Sequence, residues 1–308
     1  MIQIDGCIQI YNLTNFERIL ASLSAGAVAG GLAKTTVAPF DRTKIHFQIS
    51  STKQYSTRKA IRFLVDCYRK EGLRSLWRGN SATMARIIPY AAIQFTAHEQ
   101  WKRLLGVDAV TAHSSSSKKR FLAGSLAGVT SQALTYPLDL ARARMAVTGK
   151  ECYNSLIEVF SKTWHDEGMR GFYKGFVPTV LGVIPYAGTS FYTYGMLKLW
   201  YTDKFANPHP LLNMVCGACA GMLGQCTSYP LDIVRRRMQT ATITGGEYNS
   251  TIQSIRKIYR EEGIKRGFFK GLSMNWIKGP IAVGISFASF DYVHLLTKSA
   301  LSKTHHLS

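Results

Sequence analysis

Three short strings each place an acid and a base just after a proline: Pro39-Phe-Asp41-Arg-Thr-Lys44, Pro137-Leu-Asp139-Leu-Ala-Arg142 and Pro230-Leu-Asp232-Ile-Val-Arg235. Acid and base three residues apart are neighbours on a helix surface, so the chemistry on offer is ion pairing. The prolines lie 98 and then 93 residues apart. A glycine pair precedes each proline, Gly26/Gly30, Gly124/Gly128 and Gly217/Gly221, its first member always 13 residues upstream. Downstream comes a second signature, a Glu-Gly pair and then an aromatic, a base and a glycine. It reads Glu71-Gly72 to Trp77-Arg78-Gly79, Glu167-Gly168 to Tyr173-Lys174-Gly175, and Glu262-Gly263 to Phe269-Lys270-Gly271, with closing glycines 96 residues apart each time. Two signatures recurring in register make the chain three homologous thirds of about 100 residues, approximately residues 16–106, 118–203 and 209–300.

The elements that position these charges are long helices. From Phe16 to about Gln48 the sequence reads as one helix interrupted at Pro39, apolar or small from Ile19 to Ala38 except for Ser, Thr and Lys34. Lys34, Asp41, Lys44 and Gln48 stand at offsets 0, 7, 10 and 14, which at 100° per residue fall within roughly 80° of arc. One charged stripe on a greasy helix reverses the balance of a soluble helix. In lipid each unpaired charge would cost roughly 2.5–3.5 kcal/mol, so the charges of three repeats must face one another or a watery interior. Three equal stripes meeting on a threefold axis satisfy this, with Asp41 paired to Arg142, Asp139 to Arg235 and Asp232 to Lys44, and with Gln48 and Gln239 as braces. The glycine pairs suggest close helix approach. Pro39, Pro137 and Pro230 suggest kinks toward the shared axis.

Each third continues with a short amphipathic surface helix (Lys59 to Lys70, Tyr153 to Asp166, Tyr248 to Glu261) and a second apolar helix (Ser81 to about Leu105, Val177 to about Trp200, Met274 to about Ala300). The leading helices of the second and third repeats read as Phe121 to Met145 and Leu211 to Met238. Linkers fall at Ser114 to Ser117, followed by the basic cluster Lys118 to Arg120, and at Asn207 to Pro210; Leu301 to Ser308 reads as a polar tail.

With 308 residues and a formal net charge of +20, the chain suits an anionic partner. Only Gly175 to Leu197 and Phe205 to Leu231 are charge-free over a membrane-spanning length. The six cysteines form no secreted framework, and Cys216-Gly-Ala-Cys219 sits in a small-residue apolar helix with no second ligand pair, so no metal site is expected. His98-Glu99 opens like a zinc-peptidase motif but ends on Lys102; no phosphate-binding P-loop occurs, no cofactor motif is legible, and no nucleic-acid recognition module is present. Met1 to Phe16 carries no basic residue, unlike a secretory or transit leader.

These strings closely resemble the mitochondrial carrier family over nearly the whole chain. The resemblance implies an all-α membrane protein: six transmembrane helices in a threefold pseudo-symmetric barrel, three short surface helices on the matrix side, and a solute site that alternates between two faces. It also implies the mitochondrial inner membrane, both termini toward the intermembrane space, a monomer, and membrane lipid as a partner, with cardiolipin at the matrix-side helices. Within the family, several strings look like the coenzyme A-carrying branch: Ala33-Lys-Thr-Thr-Val-Ala-Pro-Phe-Asp41, Trp77-Arg-Gly-Asn-Ser-Ala-Thr-Met84, Val180-Leu-Gly-Val-Ile-Pro-Tyr186 and Leu272-Ser-Met-Asn-Trp-Ile-Lys-Gly-Pro-Ile-Ala-Val-Gly284. Family positions for solute contact correspond to Arg86, Gly182-Val183 and Lys278-Gly279, and Lys34 matches a cavity lysine of nucleotide carriers. Gly182 would let an adenine ring lie against backbone, with Tyr186 one turn on to stack against it. Lys34, Arg86 and Lys278 would then serve phosphates. The implied solute is anionic: coenzyme A, exchanged for adenine nucleotides such as ADP or adenosine 3′,5′-diphosphate. The alternatives are an adenine nucleotide carrier of the ATP-Mg/phosphate or ADP type, and a non-transporting carrier-shaped scaffold. A strict ADP/ATP exchanger fits poorly, because Arg235-Arg236-Arg237-Met238 ends in Gln239 and Ala187 replaces an arginine.

The family places a second gate near the far ends of the even-numbered helices. Here those slots read His98-Glu99-Gln-Trp-Lys102, Tyr194-Gly195-Met-Leu-Lys198 and Phe290-Asp291-Tyr-Val-His294. The expected pairs on that cytoplasmic side are Glu99 to Lys198 and Asp291 to Lys102; Gly195 supplies no carboxylate for His294.

Overall fold

The computed structural model describes residues 15–50, 55–107, 116–149, 151–204 and 210–307. The N-terminal leader question, residues 205–209 of the second charge-free stretch and part of each linker lie outside them. The described residues are helical: α1 (Asn15–Ile49), α2 (Thr57–Glu71), α3 (Asn80–Leu104), α4 (Ser116–Val147), α5 (Leu156–Phe172), α6 (Phe176–Lys204), α7 (Pro210–Thr244), α8 (Thr251–Gly263) and α9 (Leu272–Leu307). Short 3₁₀ and π pieces, Leu73–Trp77 and Ile264–Phe268, follow α2 and α8. α1, α4 and α7 run through Pro39, Pro137 and Pro230 without interruption. α9 continues into the stretch read as a tail, where no glycine or proline follows Gly284 to stop it. The helices fall into two units, Met1–Val37 with Gly279–Ser308, and Ala38–Lys278.

Within the larger unit, α3 packs along α4 and α6 along α7. The burial pattern is inverted relative to a water-soluble bundle. Arg144 and Arg237 are among the largest fully buried side chains, while Ile88, Phe95, Ile184, Phe191 and Leu199 stand exposed. Exposed apolar surface on this scale marks contact with something other than water. Among the described residues, one stretch, Leu272–Thr297, is both long and apolar enough to cross a membrane by composition. The charged stripe dilutes α1, α4 and α7, and Gly, Pro, Ser, Thr and Tyr dilute the charge-free Gly175 to Leu197.

Two small apolar clusters dock the surface helices. Ala141, Met145, Tyr153 and Val159 join α4 to α5; Ile233, Val234, Met238, Tyr248, Ile258 and Phe268 join α7 to α8. The glycine pairs do not sit at close crossings as expected. A Cβ on Gly26, Gly30, Gly128, Gly217 or Gly221 would meet nothing within 4 Å, and on Gly124 only His98 at 3.9 Å. Tight approaches occur instead at Gly224, where a Cβ would lie 2.9 Å from the Tyr186 carbonyl of α6, and at two closing glycines of the second signature. Gly79 and Gly175 have φ of 84° and 81°, and a Cβ on either would lie 2.9 Å from a backbone carbonyl, of Arg142 and Arg235 respectively. Each therefore turns the chain into the next helix directly against the ring-bearing helix beside it. Gly175→Ala should destabilise the protein by more than the ~1–3 kcal/mol of the backbone conformation alone. Gly128→Ala should be neutral or stabilising by up to about 1 kcal/mol through helix propensity. Thermal unfolding of the detergent-solubilised pair checks both, and equal losses would mean that glycine spacing, not these carbonyl contacts, sets the packing.

Candidate functional site: a ring of paired charges

The post-proline acids and bases meet between three helices in the pairing that the repeat register gives. Arg142 of α4 donates to Asp41 of α1, Arg235 of α7 to Asp139 of α4, and Lys44 Nζ of α1 to Asp232 Oδ2 of α7 at 2.8 Å. The three bridges link α1 to α4, α4 to α7 and α7 back to α1, which closes a ring. Two glutamines add to it: Gln48 Nε2 donates to Asp232 at 3.1 Å and Gln239 Nε2 to Asp139 at 2.9 Å. Asp139 is 1% exposed, and Gln48 and Gln239 are wholly buried.

Two residues read from sequence as solute contacts also sit on the ring acids. Lys278 Nζ donates to Asp41 Oδ1 at 2.5 Å. Arg86 fans out over one face of α4, donating from Nε to Thr135 Oγ1 at 3.2 Å, from Nη2 to Gln132 Oε1 at 2.6 Å and from Nη1 to Asp139 Oδ1 at 3.3 Å. Its guanidinium lies 4.8 Å from the Tyr90 ring centroid, within cation–π range. Arg236 approaches Asp139 at 3.8 Å and Asp232 at 3.9 Å. Six cations (Lys44, Arg86, Arg142, Arg235, Arg236 and Lys278) thus face three carboxylates. The surplus of three positive charges, in a setting of low dielectric, makes the site an attractor for anions.

Outside the ring lies a second set of ion pairs that sequence reasoning missed. Arg144 pairs with Glu167 at 2.6 Å and Arg237 with Glu262 at 2.5 Å; Lys174 and Lys270 reach the same glutamates at 2.6 and 2.9 Å. Burial pushes the Glu167 carboxyl up, but Lys174 and Arg144 outweigh it and hold the group below its ordinary range. Each pair ties a ring-bearing helix to the surface helix that follows. A legible signal existed: Arg144 and Arg237 both stand five residues after the ring acid. The first repeat has His46 there, and Glu71 is met by Arg42, 3.3 Å away, from the position next to Asp41. His46 stacks on Phe63, with centroids 4.1 Å apart.

Gly182 faces α7, where a Cβ would meet Leu231 at 3.6 Å, and Val183 and Tyr186 are 45% and 41% exposed. Lys34, Gly279 and Asp291 belong to the smaller unit. Glu99 pairs with Lys102 one turn along its own helix at 2.8 Å, in place of the expected Lys198, which is exposed. A carboxylate and an amine at i and i+3 on one helix are already neighbours, so the local pair costs little to form. Among the described residues no cluster of His, Cys, Asp or Glu is arranged to hold a metal.

Comparison with known proteins gives the family. The family model described as mitochondrial carrier protein matches three times, at residues 16–108, 113–205 and 206–300. The chain is 56% identical to the mitochondrial coenzyme A transporter of Rattus norvegicus over 291 residues, covering 94% of this chain and 91% of that protein. It is 56% identical to the Homo sapiens protein of the same name over 285 residues, covering 92% and 89%. It is 37% identical to the mitochondrial adenyl nucleotide antiporter of Mus musculus over 274 residues, covering 87% of this chain and 56% of that protein. Three matches to one family model, laid end to end, and relatives this similar along nearly their full length place the chain: it belongs to the mitochondrial carrier family.

Proposed function

We propose that the chain carries coenzyme A across the mitochondrial inner membrane by alternating access, in exchange for adenine nucleotides such as ADP or adenosine 3′,5′-diphosphate. The observation that carries this reading is the cationic surplus of the ring, which suits a solute with several phosphates. The relatives named as coenzyme A transporters supply the rest of the solute. In this reading the ring is the matrix gate, closed in this structure. Both termini then face the intermembrane space. A single chain is the working unit, surrounded by lipid, with cardiolipin at the matrix-side helices.

The contacts suggest how solute and gate communicate. Arg86 and Lys278 hold ring carboxylates. Phosphate oxygens are competing acceptors for both cations, and charge-assisted hydrogen bonds are the strong kind. An arriving solute draws the two cations away from Asp139 and Asp41, so the energy of binding loosens the ring as it is gained.

Uptake into liposomes of coenzyme A, dephospho-coenzyme A, ADP, adenosine 3′,5′-diphosphate and ATP-Mg tests the assignment. Coenzyme A should enter fastest. Equal or faster entry of ATP-Mg would instead support a nucleotide carrier, the reading favoured by the 37% identical antiporter.

The gates are unequal in this account. The cytoplasmic side has two candidate bridges, since Gly195 lacks a carboxylate, against three on the matrix side. Pairs in a hydrated vestibule are worth about 1 kcal/mol, so one missing pair shifts the two states several-fold toward the matrix-closed form. A Cβ on Gly195 would meet nothing within 4 Å, so a larger side chain fits there. Gly195→Glu should shift the balance the other way. Labelling of a cavity cysteine from each side reads the ratio, and an unchanged ratio in the variant would refute the gate counting.

A further inference from the structure

α7 carries a polar column that this chain leaves unfilled. Gln225, Ser228 and Asp232 stand 93 residues after Gln132, Thr135 and Asp139, the three residues of α4 that Arg86 joins. The residue equivalent to Arg86 beside α7 is Gly182, 96 residues on. It faces the same stretch of helix, 3.6 Å from Leu231 by its missing Cβ. The side chain that would occupy the third-repeat column is therefore absent. Asp232 is taken by Lys44 and Gln48, and Ser228 turns its hydroxyl back to the Gly224 carbonyl at 3.1 Å. Gln225 keeps a buried side-chain oxygen with no hydrogen-bond partner among the described residues. Native proteins rarely leave such an atom without a partner, and a ligand is one way to supply it.

We infer that Gln225 is a specificity-determining residue that reads the base of the solute, its carboxamide pairing with the amino edge of an adenine ring laid against Gly182. The inference rests on the nucleotide-like solute proposed above. A carboxamide offers one acceptor and one donor side by side. Adenine presents the complement along one edge, the 6-amino donor beside the N7 acceptor, which is the pairing glutamine makes with adenine in duplex DNA. A 6-oxo purine presents two acceptors there and leaves the glutamine oxygen facing another oxygen. Division of labour follows: Arg86 and Lys278 take phosphates, and the glycine-faced column takes the base.

The test uses the full-length protein in liposomes, with labelled coenzyme A as the reporter and external ADP or IDP as competitor. The two nucleotides share their phosphates and differ in the base edge. ADP should compete about tenfold more strongly than IDP in the wild type, the scale of one good bidentate base contact. Gln225→Leu, similar in size but without polar atoms, should bring that ratio close to one by weakening ADP and not IDP. A wild-type ratio near one, or a ratio unchanged in Gln225→Leu, would overturn the inference while coenzyme A uptake stands. Absence of both coenzyme A uptake and nucleotide competition in the wild type would instead remove the nucleotide reading, and the inference with it. Should the leucine variant lose its unfolding transition, Gln225→Asn keeps the amide but withdraws it by one methylene. Its ratio should also fall, and a wild-type ratio there would count against the proposal.

Discussion

Asp139→Asn should all but abolish coenzyme A exchange and lower the stability of the detergent-solubilised protein by about 3–5 kcal/mol, the usual consequence of removing one partner from a buried charge pair. Asp139 is where the ring is most concentrated. Its carboxylate accepts from Arg235, Arg86 and Gln239, with Arg236 a further 3.8 Å away. Asparagine keeps the shape but removes the charge, leaving three guanidinium groups around a neutral amide. Asp166→Asn, on the exposed side of α5, is the matched control and should stay within about 0.5 kcal/mol of the wild type. Unfolding temperature and exchange rate measured together give the result. Similar small losses for the two variants would show that the ring bears no special load.

Arg86→Ala and Lys278→Ala should each reduce coenzyme A uptake by roughly 10- to 100-fold, the worth of one charge-assisted hydrogen-bonding group. Unlike Asp139→Asn, they should leave the unfolding temperature near the wild-type value, because each removes one charge from a positive surplus. Arg86→Lys should not rescue: a lysine cannot reproduce the fork that spans Gln132, Thr135 and Asp139. Loss of stability in step with transport would recast both residues as structural parts of the ring.

The ring was readable from sequence because it depends on registers within repeats. Once Asp41, Asp139 and Asp232 are known to be equivalent, threefold closure leaves two ways to pair them, one for each sense around the axis, and the structure has the expected one. The six long and three short helices seen among the described residues were legible for the same reason, since each repeat confirms the pattern of the others. What was not legible depends on contacts that the repeats do not share. Arg86 and Lys278 read as solute contacts, but their hold on Asp139 and Asp41 joins different repeats at different registers, which a repeat pattern does not carry. The glycine pairs misled, because spacing alone cannot tell a helix crossing from an open face. Arg42 was invisible for a further reason. The first repeat binds its Glu71 from an offset that the other two repeats do not use, so the repeat argument that served elsewhere pointed to His46.

Counterflow tests the central claim most directly. Vesicles holding the purified protein are loaded with unlabelled coenzyme A, and labelled coenzyme A is added outside at low concentration. Alternating access through a single gated site predicts a transient overshoot, with the internal label rising above the external level and then decaying, and little uptake into vesicles lacking internal solute. Monotonic equilibration without overshoot would indicate an open pore, and no protein-dependent uptake in either case would mean that the paired ring holds a scaffold together and does not gate a carrier.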